Sequence, residues 1–137
     1  MKVYFQDLTV HSSKRFELID ITWKVEEAVA ASGIRNGLCL VYAPHATAAI
    51  IANEHESGLL YDLLAKVREL FPEGAGYRHD RIDDNAHAHL ASAFLASSRI
   101  FPVRDGRLVR GTWQNILLVE ADGPRTRRVV VEVLGES

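Results

Sequence analysis

NILLVEADGPRTRRVVVEVL, residues 115 to 134, decides the fold class. NILLVEA (115–121) and RRVVVEVL (127–134) are dense in β-branched residues and read as two strands around the turn-forming ADGPRT. The basic run Arg125, Arg127 and Arg128 reads as a solvated hairpin end or as a phosphate-binding cluster. Both strands carry large apolar side chains on both alternating faces, the pattern of strands covered on each side.

Working back towards the N-terminus, residues 2–10 and 15–21 read as strands joined by the polar HSSKR. Residues 23–32 read as a short helix with Thr22 as N-cap and Gly33 just past its end. GLCLVYAP (37–44) is a buried strand, and TAAIIA (47–52) is placed to pair with it. The clearest helix is 56–70, where Leu59, Leu60, Leu63, Leu64, Val67 and Leu70 form one stripe before Pro72. A further helix spans 86–97. IFPV, Asp105-Gly106 and RLV form a hairpin whose turn dipeptide suits positive φ. Strands dominate both ends of the chain and helices lie between them, which predicts an α+β domain over residues 1–137 with an antiparallel or mixed sheet. About eight strands and three short helices leave one sheet face without a helical cover; such a face must be buried or be unusually polar, and the β-branched residues of the terminal strands favour burial in a partner.

Composition narrows the function classes. With 137 residues, 47% hydrophobic and 25% charged, the chain is an ordinary single globular domain. A formal charge of -2 argues against a basic nucleic-acid-binding surface. No apolar run reaches membrane-spanning length and the N-terminus lacks a signal-peptide core, so no membrane association is expected. The single cysteine, Cys39 in LCLVY, reads as a buried thiol, which points to a reducing compartment and a cytoplasmic location.

The chemistry concentrates in HDRIDDNAHAHL, residues 79–90, with three histidines and three aspartates. Imidazole and carboxylate bind divalent metals and relay protons near neutral pH. In a helix begun by residue 87, His87 and His89 point about 200° apart and cannot share a metal; in an extended segment they can. His87 lies near the apolar stripe of Leu90 and Ala91, whereas His89 heads a line of small residues. Asp83, Asp84 and Asn85 suit an N-cap, and one of them could instead orient a metal-binding histidine. Asn53 and Glu56 have a loose capping-box spacing, while Glu54 and His55 could line a pocket. Thr47, Asn53, Thr112, Trp113 and Gln114 offer neutral donors, and Arg127 or Arg128 a charge, to an anion. Trp113 reads equally as a core residue, and Gly111 as a bulge.

Taken together, His45-Ala-Thr47, Asn53-Glu54, His79, Asp83-Asp84-Asn85-Ala-His-Ala-His89-Leu, Pro102, Gly106, Leu108, Gly111-Thr-Trp-Gln114 and Gly135-Glu136 resemble the YjbQ family, also called the secondary thiamine-phosphate synthase family. The resemblance runs from residue 3 to 136. It implies a compact α+β subunit, a homotrimer, a metal-binding histidine pocket and a weak, incidental thiamine-phosphate synthase activity. Carried over residue by residue, it implies His45, His79 and His89 as metal ligands and favours His89 over His87. The chain departs from the family pattern where HTSAS reads His-Ala-Thr-Ala-Ala, where His55 replaces an asparagine, where a Glu-Gly pair before the aspartates is missing, and where Ala96 replaces a glycine.

Three neutral imidazoles suit Zn²⁺ and leave a fourth position open, the catalytic arrangement, whereas they are a poor Mg²⁺ site. Three readings follow: a transferase on a phosphorylated heterocycle, a zinc-dependent hydrolase with Glu54 or Asp84 as general base, and a non-catalytic metal or ligand binder.

Overall fold

The computed structural model describes residues 1–137. Eight strands, three α-helices and a short 3-10 turn follow in the order β1 (Lys2–His11), β2 (Glu17–Asp20), α1 (Thr22–Ser32), β3 (Asn36–Tyr42), β4 (Ala48–Asn53), α2 (Ser57–Leu70), the 3-10 turn (Arg78–Arg81), α3 (Ala86–Leu95), β5 (Ser98–Arg104), β6 (Arg107–Leu108), β7 (Asn115–Glu120) and β8 (Thr126–Glu136). Every strand pairing is antiparallel, so the chain is α+β as expected. The strands divide into a five-stranded sheet ordered β1-β8-β3-β5-β6 and a three-stranded sheet ordered β2-β7-β4.

That division corrects two expected pairings. The closing strands are not a hairpin: β7 lies between β2 and β4, while β8 lies between β1 and β3. TAAIIA pairs with β7 through Ile50↔Leu118 and its neighbours, not with β3. Burial explains both. Ile116 to Glu120 are buried on both faces of β7, which belongs in the middle layer of the molecule. In β8, Val129, Val131 and Val133 are buried, whereas the alternate residues Val130, Glu132 and Leu134 retain solvent contact. A strand buried on both faces suits the middle layer and one buried at alternate residues suits a sheet with an open face, and residues 121–125 carry the chain from one sheet to the other.

Local signals hold where short-range chemistry decides. Asp105 and Gly106 turn the β5–β6 hairpin at φ 52° and 79°, the positive values such a two-residue turn requires. Gly33 ends α1 at φ 70°. The caps themselves differ from expectation. Thr22 is the first residue of α1, and the Asp20 carboxylate accepts from its backbone N–H (3.0 Å) and hydroxyl (2.6 Å). Glu56 caps α2 directly, accepting from the N–H groups of Gly58 and Leu59, while Asn53 bonds the N–H of Glu54. At α3 the Asp80 carboxylate accepts from Ala86 N–H (3.1 Å), a cap that Asp83, Asp84 and Asn85 do not provide.

The core lies between the sheets. Cys39, Val41, Val129, Val131, Val133, Phe101 and Val103 of the larger sheet meet Ala48, Ile50, Ile116 and Leu118 of the smaller, with Val25, Ala28 and Val29 of α1 closing one end. Helix α3 packs on β4 and α2 on β2. The other face of the five-stranded sheet has no cover. Val3, Phe5, Leu38, Tyr42 and Ile100 are exposed there, and pairing sets Val3 beside Leu134 and Leu134 beside Leu38. No helix is long and apolar enough to cross a membrane.

Ala96 follows α3 at φ 78° and ψ 151°, a region that glycine occupies without a Cβ clash. This is the position at which the family resemblance leads one to expect glycine. Ala96→Gly is therefore expected to stabilise the protein by about 0.5–1 kcal/mol, the relieved strain exceeding the entropy cost of glycine; urea unfolding midpoints check it. Cys39 is fully buried, and burial pushes its thiol pKa up to about 12. It should stay unreactive towards a colorimetric thiol reagent in the folded protein and react at once in denaturant.

Candidate functional site

Helix α3 has begun by Ala86, so the two histidines of AHAH face opposite ways. His87 turns inward: it is 1% exposed, its Nε2 lies 3.0 Å from the Ala121 carbonyl, and its ring packs on Phe16 at 5.3 Å. It is a core residue, and its Nδ1 has no hydrogen-bond partner. His89 turns outward and meets His79 edge-to-face, with ring centroids 4.6 Å apart. These two imidazoles line an open cavity of about 380 Å³ with Tyr77, Arg78, Ala86 and Leu90.

His45 stands apart from that pair. Its Nε2 lies 3.0 Å from the Arg128 N–H and 2.9 Å from the Arg128 carbonyl, which anchors the ring on the backbone of β8. No group of three His, Cys, Asp or Glu side chains within one chain is arranged to hold a metal ion.

Behind His45 lies a buried ion pair. Arg127 is 2% exposed and Glu120 fully buried. The guanidinium donates through Nε to Glu120 Oε1 (2.9 Å), through Nη2 to Glu120 Oε2, and to the hydroxyl and carbonyl of Thr47 (2.9 and 3.1 Å). Ser12 Oγ donates to Glu120 Oε1 at 2.7 Å. Arg127 and Thr47, expected to bind an anion, are instead buried and bonded to each other, with Arg127 also paired to Glu120. Arg128 remains exposed.

A third cluster gathers other expected residues. Asn53, Glu54, Thr112, Trp113 and Gln114 line a shallow depression of about 370 Å³ with Ala52 and Gly111. GTWQ is a tight turn, not a bulge: Gln114 N–H bonds the Gly111 carbonyl at 3.0 Å, and Gly111 N–H bonds the Gln114 side-chain oxygen at 2.9 Å. Trp113 is 72% exposed and is not a core residue. Asp84 is exposed and holds Arg15 through its carbonyl at 3.1 Å and its carboxylate at 3.7 Å. The structure thus joins His79 with His89, and Asn53 and Glu54 with GTWQ, and leaves His45, Arg128 and Asp84 outside both groups.

Sequence reasoning gave no role to Asp122, Asp80, Arg78 or Tyr77. Asp122 lies in a turn sequence that reads as solvated, and only the change of sheet at residues 121–125 carries it inward, beneath α3.

A matching family accounts for the spread of these motifs along the whole chain. The family described as UPF0047 protein YjbQ-like matches residues 6–136. The chain belongs to the YjbQ family. It is 52% identical over 128 residues to a UPF0047 protein of Archaeoglobus fulgidus, covering 93% of this chain and 99% of that one. It is 39% identical to the UPF0047 protein YugU of Bacillus subtilis, covering 93% and 97%. A crystal structure of a YbjQ-like protein of unknown function from Sulfolobus solfataricus superposes with a TM-score of 0.98 at 57% identity, over 98% of this chain and 99% of that one. The YjbQ resemblance read from the motifs is therefore correct for family and for fold.

Burial holds the His45 pKa below the ordinary histidine value; the Arg128 backbone bond opposes this, and the Arg127 charge reinforces it. A depressed folded pKa means that the unfolded chain binds the proton first as pH falls through about 6.5, so the folded state loses stability there and nothing from this source above about pH 7.5. Between pH 7.5 and 5.5, wild type should lose more stability than His45→Gln in urea titrations. Equal losses in the two proteins would contradict this.

Proposed function

We propose that this YjbQ protein is a metal-dependent enzyme acting on a small phosphorylated molecule, with its site completed between copies of a homotrimer. The observation that carries the reading is the His79–His89 contact: two imidazoles 4.6 Å apart in an open cavity, one of them already hydrogen-bonded through a ring nitrogen. Two such ligands are one short of the three-imidazole set that Zn²⁺ takes in an open site. His45 supports completion from a second copy. It is fastened to β8, a central strand of the sheet whose outer face lacks a cover, and that apolar face suits burial against identical copies.

In this arrangement His79 and His89 of one copy and His45 of its neighbour would hold the ion. Bound zinc supplies a Lewis acid for a phosphate oxygen. Arg78 beside His79 and the exposed Arg128 beside His45 would bring positive charge to a phosphoryl group. Glu54 faces the depression formed with Asn53, Thr112, Trp113 and Gln114, and is placed to accept a proton from a substrate held there. Among phosphorylated substrates, a heterocycle is favoured because the exposed Trp113 ring offers a stacking surface. That supports weak transfer chemistry of the thiamine-phosphate synthase kind. A three-histidine zinc site differs from the Mg²⁺ sites suited to pyrophosphate departure, which fits an activity that is secondary to another reaction. Glu54 in that same depression also supports a zinc-dependent hydrolase, the second reading. Asp84, exposed and paired with Arg15, is the weaker candidate for general base.

Two measurements on untagged protein test this. Light scattering should give three times the chain mass of 15.3 kDa, and elemental analysis should give about one metal per chain, as three shared sites require. His89→Ala should remove the metal and any chelator-sensitive turnover of phosphorylated metabolites. His87→Ala should keep the metal and cost about 2–4 kcal/mol of stability, as removal of a buried side chain does. A monomeric mass, or full metal content in His89→Ala, would overturn the reading.

A further inference from the structure

The residue at the N-cap position of α3 does not cap it. Asn85 makes no side-chain bond to the helix, and Asp80 supplies the bond to Ala86 N–H instead. The buried Asn85 amide is turned between two other groups. Its Nδ2 lies 2.9 Å from Asp122 Oδ2, and its Oδ1 lies 3.2 Å from His79 Nε2. Asp122 is itself fixed, taking Arg125 Nη2 at 2.9 Å on Oδ2 and Arg15 Nη1 at 3.2 Å on Oδ1.

The sense of each bond follows from the first. A carboxylate only accepts, so the amide must present its NH₂ to Asp122. The reverse orientation would set amide oxygen against carboxylate oxygen. The Asn85 carbonyl oxygen therefore faces His79, and it too only accepts. His79 Nε2 must then carry the ring proton, and in the neutral imidazole that leaves Nδ1 bare. Two guanidinium groups thus set a carboxylate, the carboxylate sets an amide, and the amide sets a histidine tautomer.

We propose that Asn85 and Asp122 are positioning residues that hold His79 in the Nε2–H form and make Nδ1 its ligand nitrogen. The inference rests on the reading of His79 as a metal ligand, while the tautomer itself exists with or without a metal. A metal-binding histidine whose second nitrogen donates to a fixed carbonyl or carboxylate is oriented before the ion arrives, and loss of that partner commonly costs 10–100-fold in affinity.

The experiment uses the full chain, ¹⁵N-labelled and metal-free, at about pH 8, where free imidazole is neutral. Long-range ¹H–¹⁵N spectra should show His79 with a protonated Nε2 and an unprotonated Nδ1, and the Nε2 proton should exchange slowly enough to be seen. Asn85→Leu should abolish that proton signal and average the tautomers; Asp122→Asn, which removes the acceptor-only partner, should weaken it. The His87 Nε2 proton, bonded to the Ala121 carbonyl, is the internal control for folding and should persist in both variants. Zn²⁺ titration should then show a 10–100-fold weaker affinity in Asn85→Leu. A protonated Nδ1 in wild type, or a His79 signal unchanged in both variants, overturns the proposal. If the tautomer responds as stated but Zn²⁺ binds neither wild type nor variant, the positioning of His79 stands and the metal reading of the site fails.

Discussion

Glu120 and Arg127 form an ion pair at the corner where the two sheets part. Glu120 ends β7 in the three-stranded sheet, and Arg127 is the second residue of β8 in the five-stranded one. Ser12, just after β1, and Thr47, just before β4, complete the hydrogen bonding. Four strands from both sheets are therefore tied at one point by groups almost without solvent contact. A buried charge costs several kcal/mol unless its partner and its remaining bonds are in place. The pair thus penalises arrangements in which β7 and β8 fold back on each other or β4 slips in register. Hydrophobic burial supplies most of the cohesion between the sheets and sorts the strands between them; the ion pair fixes the corner where they part.

The same corner sets out the chemistry. Directly after Glu120, Ala121 accepts the buried His87 and Asp122 reaches Asn85, which reaches His79. Directly after Arg127, the backbone of Arg128 holds His45. The two histidine groups thus hang from opposite ends of one short connection, and a single chain does not bring them together. The corner therefore leaves His45 on one side and the His79–His89 pair on the other, with the uncovered face of the five-stranded sheet nearby.

What could be read from the sequence follows the range of the interaction that decides it. The Asp105-Gly106 turn, the Gly33 stop and the α2 helix depend on neighbours a few residues away, and all are present, although the α2 stripe is half-buried from Leu59 to Leu64, buried at Val67 and exposed at Leu70. The pairing of β4 with β7 and the separation of β7 from β8 depend on which faces are buried on both sides, and alternation in the sequence does not carry that information. The AHAH ambiguity was one of phase: once α3 starts at Ala86, His87 must enter the core and His89 must leave it. Arg127 and Arg128 are neighbours of identical type, but strand alternation buries the first and exposes the second. Asp122 carries no sequence signal for its inward position because the partners that fix it there, Arg15 and Asn85, stand 107 and 37 positions away; only Arg125 is local.

If the Glu120–Arg127 pair fixes the junction of the two sheets, a double-mutant cycle of Glu120→Leu and Arg127→Met in urea unfolding will show strong coupling between them. Each single change should cost about 3–5 kcal/mol, because it leaves a buried charge without its partner, and the double variant should cost far less than the two losses added together. Single losses under about 1 kcal/mol, or losses that simply add, would mean that the pair does not fix the junction.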